Sequence, residues 1–230
     1  MRPTKNDPAA PKLDHRRKLR ESGEESFRAA VSKKPLIASR KHRAIFAIRA
    51  ARICYATVAL EALFLFGIFP YVAVLLAKAG EPRATIAGLV VAAFAVGGMV
   101  YSLSVRQLLR WLGPKQIMTA GGALAAIGLF IVGAGPSWPV QALAFAAMGC
   151  GFYMLHASIQ VYVTELAPAT RSSAIAFHTF SIFVGQSIGT VAFGYGLFWL
   201  GSPPTLAICS LAIALTGIVS AQLLTRPRPV

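Results

Sequence analysis

Glu61 has the clearest chemical potential in this sequence, because it is the carboxylate that falls within the predicted membrane-crossing windows. It stands about eight residues, or roughly 12 Å along a helix, from the start of the apolar window 53–77. An acid inside a membrane costs about 3 kcal/mol, so its side chain should face protein or water rather than lipid. Such a carboxyl could take up and release a proton. The alternative is a permanently paired or protonated glutamate that fixes helix packing.

Polar and aromatic side chains recur at helical spacing in three of the apolar windows, which gives each helix a face suited to line a cavity. His156 and His178 can titrate in the physiological range or hydrogen-bond a solute, or they are neutral packing residues. The candidates for proton coupling or substrate binding are Glu61, His156, Gln160, His178 and Gln186, and those for the cavity wall are Thr57, Tyr71, Tyr153 and Thr190.

Six charge-poor apolar windows must position these residues. Each is about as long as the 20 residues that a helix needs to cross about 30 Å of hydrocarbon. Windows of this length exclude barrel strands, so the sequence predicts an all-α membrane protein, a bundle of six transmembrane helices. Gly67 and Pro70 predict a kink in the first span. The predicted spans are residues 53–77, 84–105, 116–134, 138–164, 172–200 and 204–224.

The distribution of positive charge predicts how the spans are oriented. Residues 1–52 hold 15 Lys and Arg, the connection 106–115 holds 3, and the opposite side holds only Lys78 and Arg83. Because positive residues remain in the cytoplasm, both termini are expected there. The basic residues near the first span should meet anionic lipid, and binding to nucleic acid is not expected.

These patterns divide the chain into four parts. We predict a basic, flexible cytoplasmic segment at 1–40 and a transmembrane domain at 53–224. Between them, residues 41–52 form either an amphipathic juxtamembrane stretch along the membrane surface or a charged linker. Residues 225–230 form a cytoplasmic tail.

The sequence offers no set of residues for enzymatic chemistry. Cys54, Cys150 and Cys209 are odd in number and widely spaced, so we expect packing residues rather than a disulfide framework or a zinc site. No catalytic serine elbow, metal cluster or phosphate-binding glycine loop is evident. We therefore expect no enzyme activity, no cofactor and no metal, which leaves ions such as protons to couple energy.

Small residues four apart predict where helices touch. Ser181, Gly185 and Gly189 share one face of the fifth span and would let a neighbouring backbone approach closely. Gly97, Gly121 and similar glycines are expected to act in the same way in other spans.

Three stretches of the sequence carry a family pattern: EALFLFGIFPYVAVLLAKAG, SLSVRQLLRWLGPKQIM and TELAPATRSSAIAFHTFSIFVGQSIGTVAFG. With them the chain resembles the Major Facilitator Superfamily, specifically the carboxyl-terminal six-helix half of bacterial drug and sugar efflux carriers. Arg110, Gly113 and Lys115 match the family's cytoplasmic motif between the second and third helices of a half, whereas the motif's acidic residue is absent and Leu109 lies nearby.

The resemblance implies a transporter whose two halves enclose a central solute site near the bilayer midplane. Spans one, two, four and five would then line the cavity, with spans three and six outside. It implies efflux of a small organic molecule by proton antiport across a bacterial inner membrane. Because one half is present, the carrier would be half-length or truncated and would pair as a homodimer or with a separate six-helix half. The alternative is a non-transporting remnant or structural subunit.

Overall fold

The computed structural model describes residues 45–166 and 168–225, and the helices in these ranges form a bundle. Six segments in these ranges are long and apolar enough to cross a membrane, which confirms the predicted fold class. The chain divides into two units, Met1–Phe46 and Ala47–Val230, and the helices described below belong to the second. They are α1 (Arg49–Phe66), α2 (Val72–Lys78), α3 (Ala84–Trp111), α4 (Gly113–Gly133), α5 (Trp138–Leu166), α6 (Arg171–Trp199) and α7 (Ser202–Leu224).

Not all predicted boundaries fall on described residues. The segment 1–40 and residues 226–230 of the predicted tail lie outside the described ranges. Within the predicted juxtamembrane stretch, the backbone at Ile48 is extended and α1 begins at Arg49. Residues 49–52, the end of the predicted juxtamembrane stretch, therefore belong to the same helix as the first span.

The first span is broken where glycine and proline predicted a kink. α1 ends at Phe66, a 3-10 turn covers Phe69–Tyr71, and α2 begins at Val72. Proline has no backbone N–H to donate, so the α-helical ladder cannot run through Pro70. The hydroxyl of Tyr71 donates to the carbonyl oxygen of Thr190 at 2.8 Å and so ties the break to α6.

Replacing Tyr71 by phenylalanine is expected to destabilise the bundle by about 1 kcal/mol, because the carbonyl of Thr190 loses its donor. This should lower the midpoint of thermal unfolding by roughly 2–4 °C. The matched control is Tyr195→Phe, since Tyr195 lies on α6, the helix that contains Thr190, and is 66% exposed. Equal midpoints for the two variants in one detergent would contradict a stabilising role for the Tyr71 bond.

The connection between the second and third spans differs from the predicted loop at 106–115. α3 continues to Trp111, and Leu112 alone separates it from α4. The loop prediction was wrong because the polar side chains of Arg106 and Arg110 end the apolar window without ending the helix.

Gly113 makes the sharp turn between α3 and α4 possible, since its φ of 71° is strained for any residue with a Cβ. Pro114 then stands in the first turn of α4, a position where its missing N–H costs nothing.

The connection between α2 and α3 carries an ion pair at the opposite end of the bundle. The guanidinium of Arg83 donates to both carboxylate oxygens of Glu81, at 2.7 and 2.6 Å. These hydrogen bonds hold the pKa of Glu81 below its usual value. The pair lies at the surface, so its contribution to stability is small.

Glycines bring α1 and α6 into backbone contact, as the spacing of small residues predicted. A Cβ on Gly185 would collide with the carbonyl oxygen of Ala59, and one on Gly189 with that of Leu63. No larger residue fits without moving the helices apart. The same role is filled by Gly97 and Gly149 between α3 and α5, Gly121 and Gly151 between α4 and α5, and Gly122 and Gly217 between α4 and α7.

The helices of the bundle differ in how far their neighbours cover them. α4 packs against α5 and α7, α5 also packs against α3, and α1 lies between α6 and α7. Aromatic rings of the first span, α3 and α5 fill the centre around the break, where Phe69 contacts Phe94 and Phe145. α6 is the least buried of the six membrane-length segments. It therefore presents a broad face that the described helices leave uncovered.

Candidate functional site

Glu61 lies inside the bundle, with its side chain only 1% exposed. Its Oε2 is 2.9 Å from Nδ1 of His156, a hydrogen bond that joins α1 to α5. Either the carboxyl or the imidazole can hold the shared proton, so the pair can exist as an ion pair or as two neutral groups. Pairing is what makes a carboxylate tolerable at a buried site.

His178 brings a third helix to this pair. Its buried ring lies against the ring of His156, with centroids 4.7 Å apart and planes tilted by 56°. On α1, the hydroxyl of Tyr55 donates to the carbonyl oxygen of Ala174 at 3.3 Å, one turn before His178. Glu61, His156 and His178 thus form one buried cluster from α1, α5 and α6, which we call the Glu–His cluster.

Phe152 forms one wall of the Glu–His cluster. Its ring stacks on that of His156, with centroids 4.7 Å apart and planes 21° from parallel. Sequence reasoning missed this residue because an apolar side chain gives no chemical signal. Its position one helical turn before His156 was the available clue.

Two atoms of the Glu–His cluster are buried without a hydrogen-bond partner among the described residues. They are Oε1 of Glu61 and Nε2 of His178. Most buried polar atoms in proteins have a hydrogen-bond partner, so an acceptor and an imidazole nitrogen that both lack one in the same cluster are unusual. They provide hydrogen-bonding capacity for a proton, a water molecule or a polar group of a solute.

The other candidates from the sequence do not join the Glu–His cluster. Thr57 is buried one turn before Glu61, and Gln186 is half-buried on α6. Tyr71 and Thr190 contact each other at the break in the first span. Tyr71 and Thr190 therefore hold the first span to α6 at the break and do not belong to the Glu–His cluster.

Two candidates on α5 face out of the six-helix bundle. Tyr153 is 38% exposed and lines an open depression of about 410 Å³ together with Gly98 and Met99 of α3. Gln160 is also exposed. Their polar groups on the outside of a membrane-length helix suit a surface that faces water or another protein better than one that faces lipid.

The motif residues lie together at the turn between α3 and α4. Arg110 and Lys115 are exposed on either side of Gly113, with its positive φ. No group of three or more His, Cys, Asp or Glu side chains that could hold a metal is found within the described ranges. The three cysteines are free, and Cys54 and Cys209 are buried.

Six membrane-length segments, three of which hold the Glu–His cluster, define a multi-pass membrane protein. The sequence matches the family model described as the Major Facilitator Superfamily over residues 7–190 and, in an overlapping match, over 53–230. The chain belongs to the Major Facilitator Superfamily, as its motifs indicated.

A curated relative agrees with this assignment. The chain is similar to "Solute carrier family 2, facilitated glucose transporter member 4" from Mus musculus, with 30% identity over 111 residues. The match covers 46% of this chain and 22% of the mouse protein. The chain therefore aligns with less than a quarter of the length of that relative.

Proposed function

We propose that this chain forms one six-helix half of a carrier that exports a small organic molecule in exchange for protons. The observation that carries the proposal is the Glu–His cluster, because it places the buried Glu61 within hydrogen-bonding distance of His156 and beside His178. The family and the name of the mouse relative support transport of a solute in general. Proton exchange and the outward direction rest on the chemistry of the cluster and on the resemblance to efflux carriers.

The Glu–His cluster suggests how a proton would couple to movement. While α1 and α5 are together, Glu61 and His156 share a proton through their hydrogen bond, so neither group is left without a partner. If the helices separate, an unpaired buried carboxylate costs several kcal/mol, so the separated state favours protonated Glu61 or a solute that replaces the imidazole. Proton and solute would then compete for the same carboxyl, which is the requirement for antiport.

The uncovered face of α6 supports assembly with a second six-helix half. Large apolar and aromatic side chains project from it, including Phe180, Phe183, Tyr195 and Phe198. The large apolar side chains exposed on α7 are aliphatic, as expected for a helix that faces lipid, and include Ile208, Leu211 and Leu215. A second copy of this chain or a separate half would cover the aromatic face and the polar side chains of α5. A subunit without transport activity of its own is the alternative consistent with the same face.

We place this assembly in a bacterial inner membrane with both termini in the cytoplasm. The end of the bundle that holds the turn between α3 and α4 carries Arg106, Arg110 and Lys115. The opposite end has Lys78 and Arg83, the latter paired with Glu81. This asymmetry supports the orientation, with anionic lipid headgroups near the basic end.

Reconstitution into liposomes that contain a pH-sensitive dye tests the proposal. With an acidic interior, addition of an external transported solute should speed the loss of internal protons relative to protein-free liposomes. The name of the mouse relative makes hexoses the first solutes to test, followed by hexitols and neutral amino acids. Cross-linking in the same liposomes measures the oligomeric state. If the chain forms a dimer but exchanges no protons for any of these solutes, the result counts against a proton-coupled carrier. It favours a subunit without transport activity of its own.

A further inference from the structure

The contact between Phe152 and the Glu–His cluster has a geometry that favours positive charge on the imidazole. The ring of Phe152 lies nearly parallel to that of His156, with centroids 4.7 Å apart and planes 21° from parallel. A positive charge within about 6 Å of an aromatic ring is attracted by the negative potential of the ring face. Phe152 is therefore placed to stabilise His156 when the imidazole is protonated.

Other aromatic rings hold Phe152 in this orientation. Phe66, the last residue of α1, packs nearly perpendicular to it, with centroids 4.9 Å apart and planes 78° apart. Phe94 of α3 lies against it with centroids 5.6 Å apart, and Tyr153 of α5 packs nearly perpendicular at 5.1 Å. Because neighbours from three helices surround the buried ring of Phe152, it has little room to turn away from His156.

Burial makes such an attraction larger than it would be at a surface. The side chain of His156 is 12% exposed and that of Glu61 only 1%, so little water screens the cluster. Within the described ranges, the titratable groups that contact the ring of His156 are Glu61 from α1 and His178 from α6, and α3 contributes the apolar ring of Phe94 behind Phe152. Glu61 attracts a protonated imidazole, whereas a protonated His178 would repel it. Phe152 acts in the same direction as Glu61 without gaining or losing a proton itself.

We propose that Phe152 is a positioning residue whose ring shifts the shared proton of the Glu–His cluster toward His156. With the proton on His156, the cluster is an ion pair beside an aromatic face. With the proton on Glu61, it is two neutral groups, and the ring attracts the imidazole less. The role depends on the electrons of the ring, so an aliphatic side chain cannot fill it. Its consequence for proton exchange rests on the proposed function, whereas its effect on His156 does not.

Replacing Phe152 by phenylalanines that carry one, two or three fluorine atoms tests this role in the full chain in a neutral detergent. Fluorine withdraws electrons from the ring face with little change in size, so the attraction to a cation weakens in graded steps. The chain has four histidines, so 15N labelling of histidine alone gives few NMR signals. The variant His156→Gln assigns the signals of His156, whose ring-nitrogen shifts give its protonated fraction.

The measurement is made at the pH at which half of His156 is protonated in the unaltered chain. The protonated fraction should fall with each added fluorine. Phe152→Leu removes the ring and should lower the ratio of protonated to neutral His156 by about fivefold or more, which takes the fraction from one half to about one sixth or below. The matched control places the same fluorinated residues at Phe145, which is buried on α5 and packs against Phe69. These control variants should leave the fraction at one half.

A ring that only fills space would give the same protonated fraction in every fluorinated variant, and that result would overturn the proposal. An equal fall in the Phe145 variants would do the same, as would a His156 that stays neutral at every pH at which the chain remains folded. Solute-driven proton exchange in liposomes is measured separately. If the fraction follows the number of fluorines but no variant exchanges protons for solute, the role of Phe152 stands and the proposed function fails.

Discussion

Replacing Glu61 by glutamine is expected to reduce solute-driven proton exchange to the level of protein-free liposomes. Glutamine is nearly the same size and can still hydrogen-bond to His156, but it cannot release a proton at any accessible pH. Exchange of labelled for unlabelled solute, which needs no net proton movement, should continue. The expected result is therefore a loss of coupling rather than a loss of the carrier.

Two controls keep this result interpretable. Glu81→Gln removes a surface carboxylate whose partner is Arg83, and its proton exchange should match that of the unaltered chain. The midpoint of thermal unfolding should change little in Glu61→Gln, since the amide is nearly the same size as the carboxyl and can still hydrogen-bond to His156. If Glu61→Gln exchanged protons for solute as fast as the unaltered chain, the coupling role of Glu61 would be rejected.

The helical framework was predictable from the sequence because it depends on local quantities. The length of each apolar window fixes a membrane-crossing helix, and Gly67 and Pro70 fix the break in the first span. The stretch 106–115 was misjudged because hydropathy marks the end of an apolar window, whereas a helix ends where its backbone turns. That turn is at Gly113, where φ is positive.

The contacts within the Glu–His cluster could be predicted only in part. Helical spacing and the cost of charge in lipid put Glu61 and His156 on inward faces of their helices. Their hydrogen bond joins residues 95 positions apart and depends on how α1 crosses α5. A single sequence contains no measure of that crossing. For the same reason, Tyr153 and Gln160 could be assigned to a polar stripe on α5 but not to the uncovered side of the bundle.

Replacing Gly185 by alanine is expected to cause a large loss of stability, although it adds one methyl group. The new Cβ would overlap the carbonyl oxygen of Ala59, and backbone cannot rotate away as a side chain can. Overpacking of this kind costs typically 1–3 kcal/mol. For a unit of this size, we expect the midpoint of thermal unfolding to fall by roughly 3–10 °C.

The matched control is Gly88→Ala on α3, where a Cβ would have no atom within 4 Å. Alanine there should leave stability unchanged or raise it by up to about 1 kcal/mol, since alanine favours a helix more than glycine does. The same chemical change should therefore have opposite signs at the two positions. Similar midpoints for both variants would show that α1 and α6 are not in backbone contact at Gly185.

The Gly185 variant also links packing to the proposed function. His178 lies about two helical turns before Gly185 on α6, so pushing α6 away from α1 should also move its ring away from His156. We expect Gly185→Ala to impair both proton exchange and the exchange of labelled for unlabelled solute, whereas Glu61→Gln impairs the first alone. That contrast separates the residue proposed to carry the proton from the contact that holds the Glu–His cluster together.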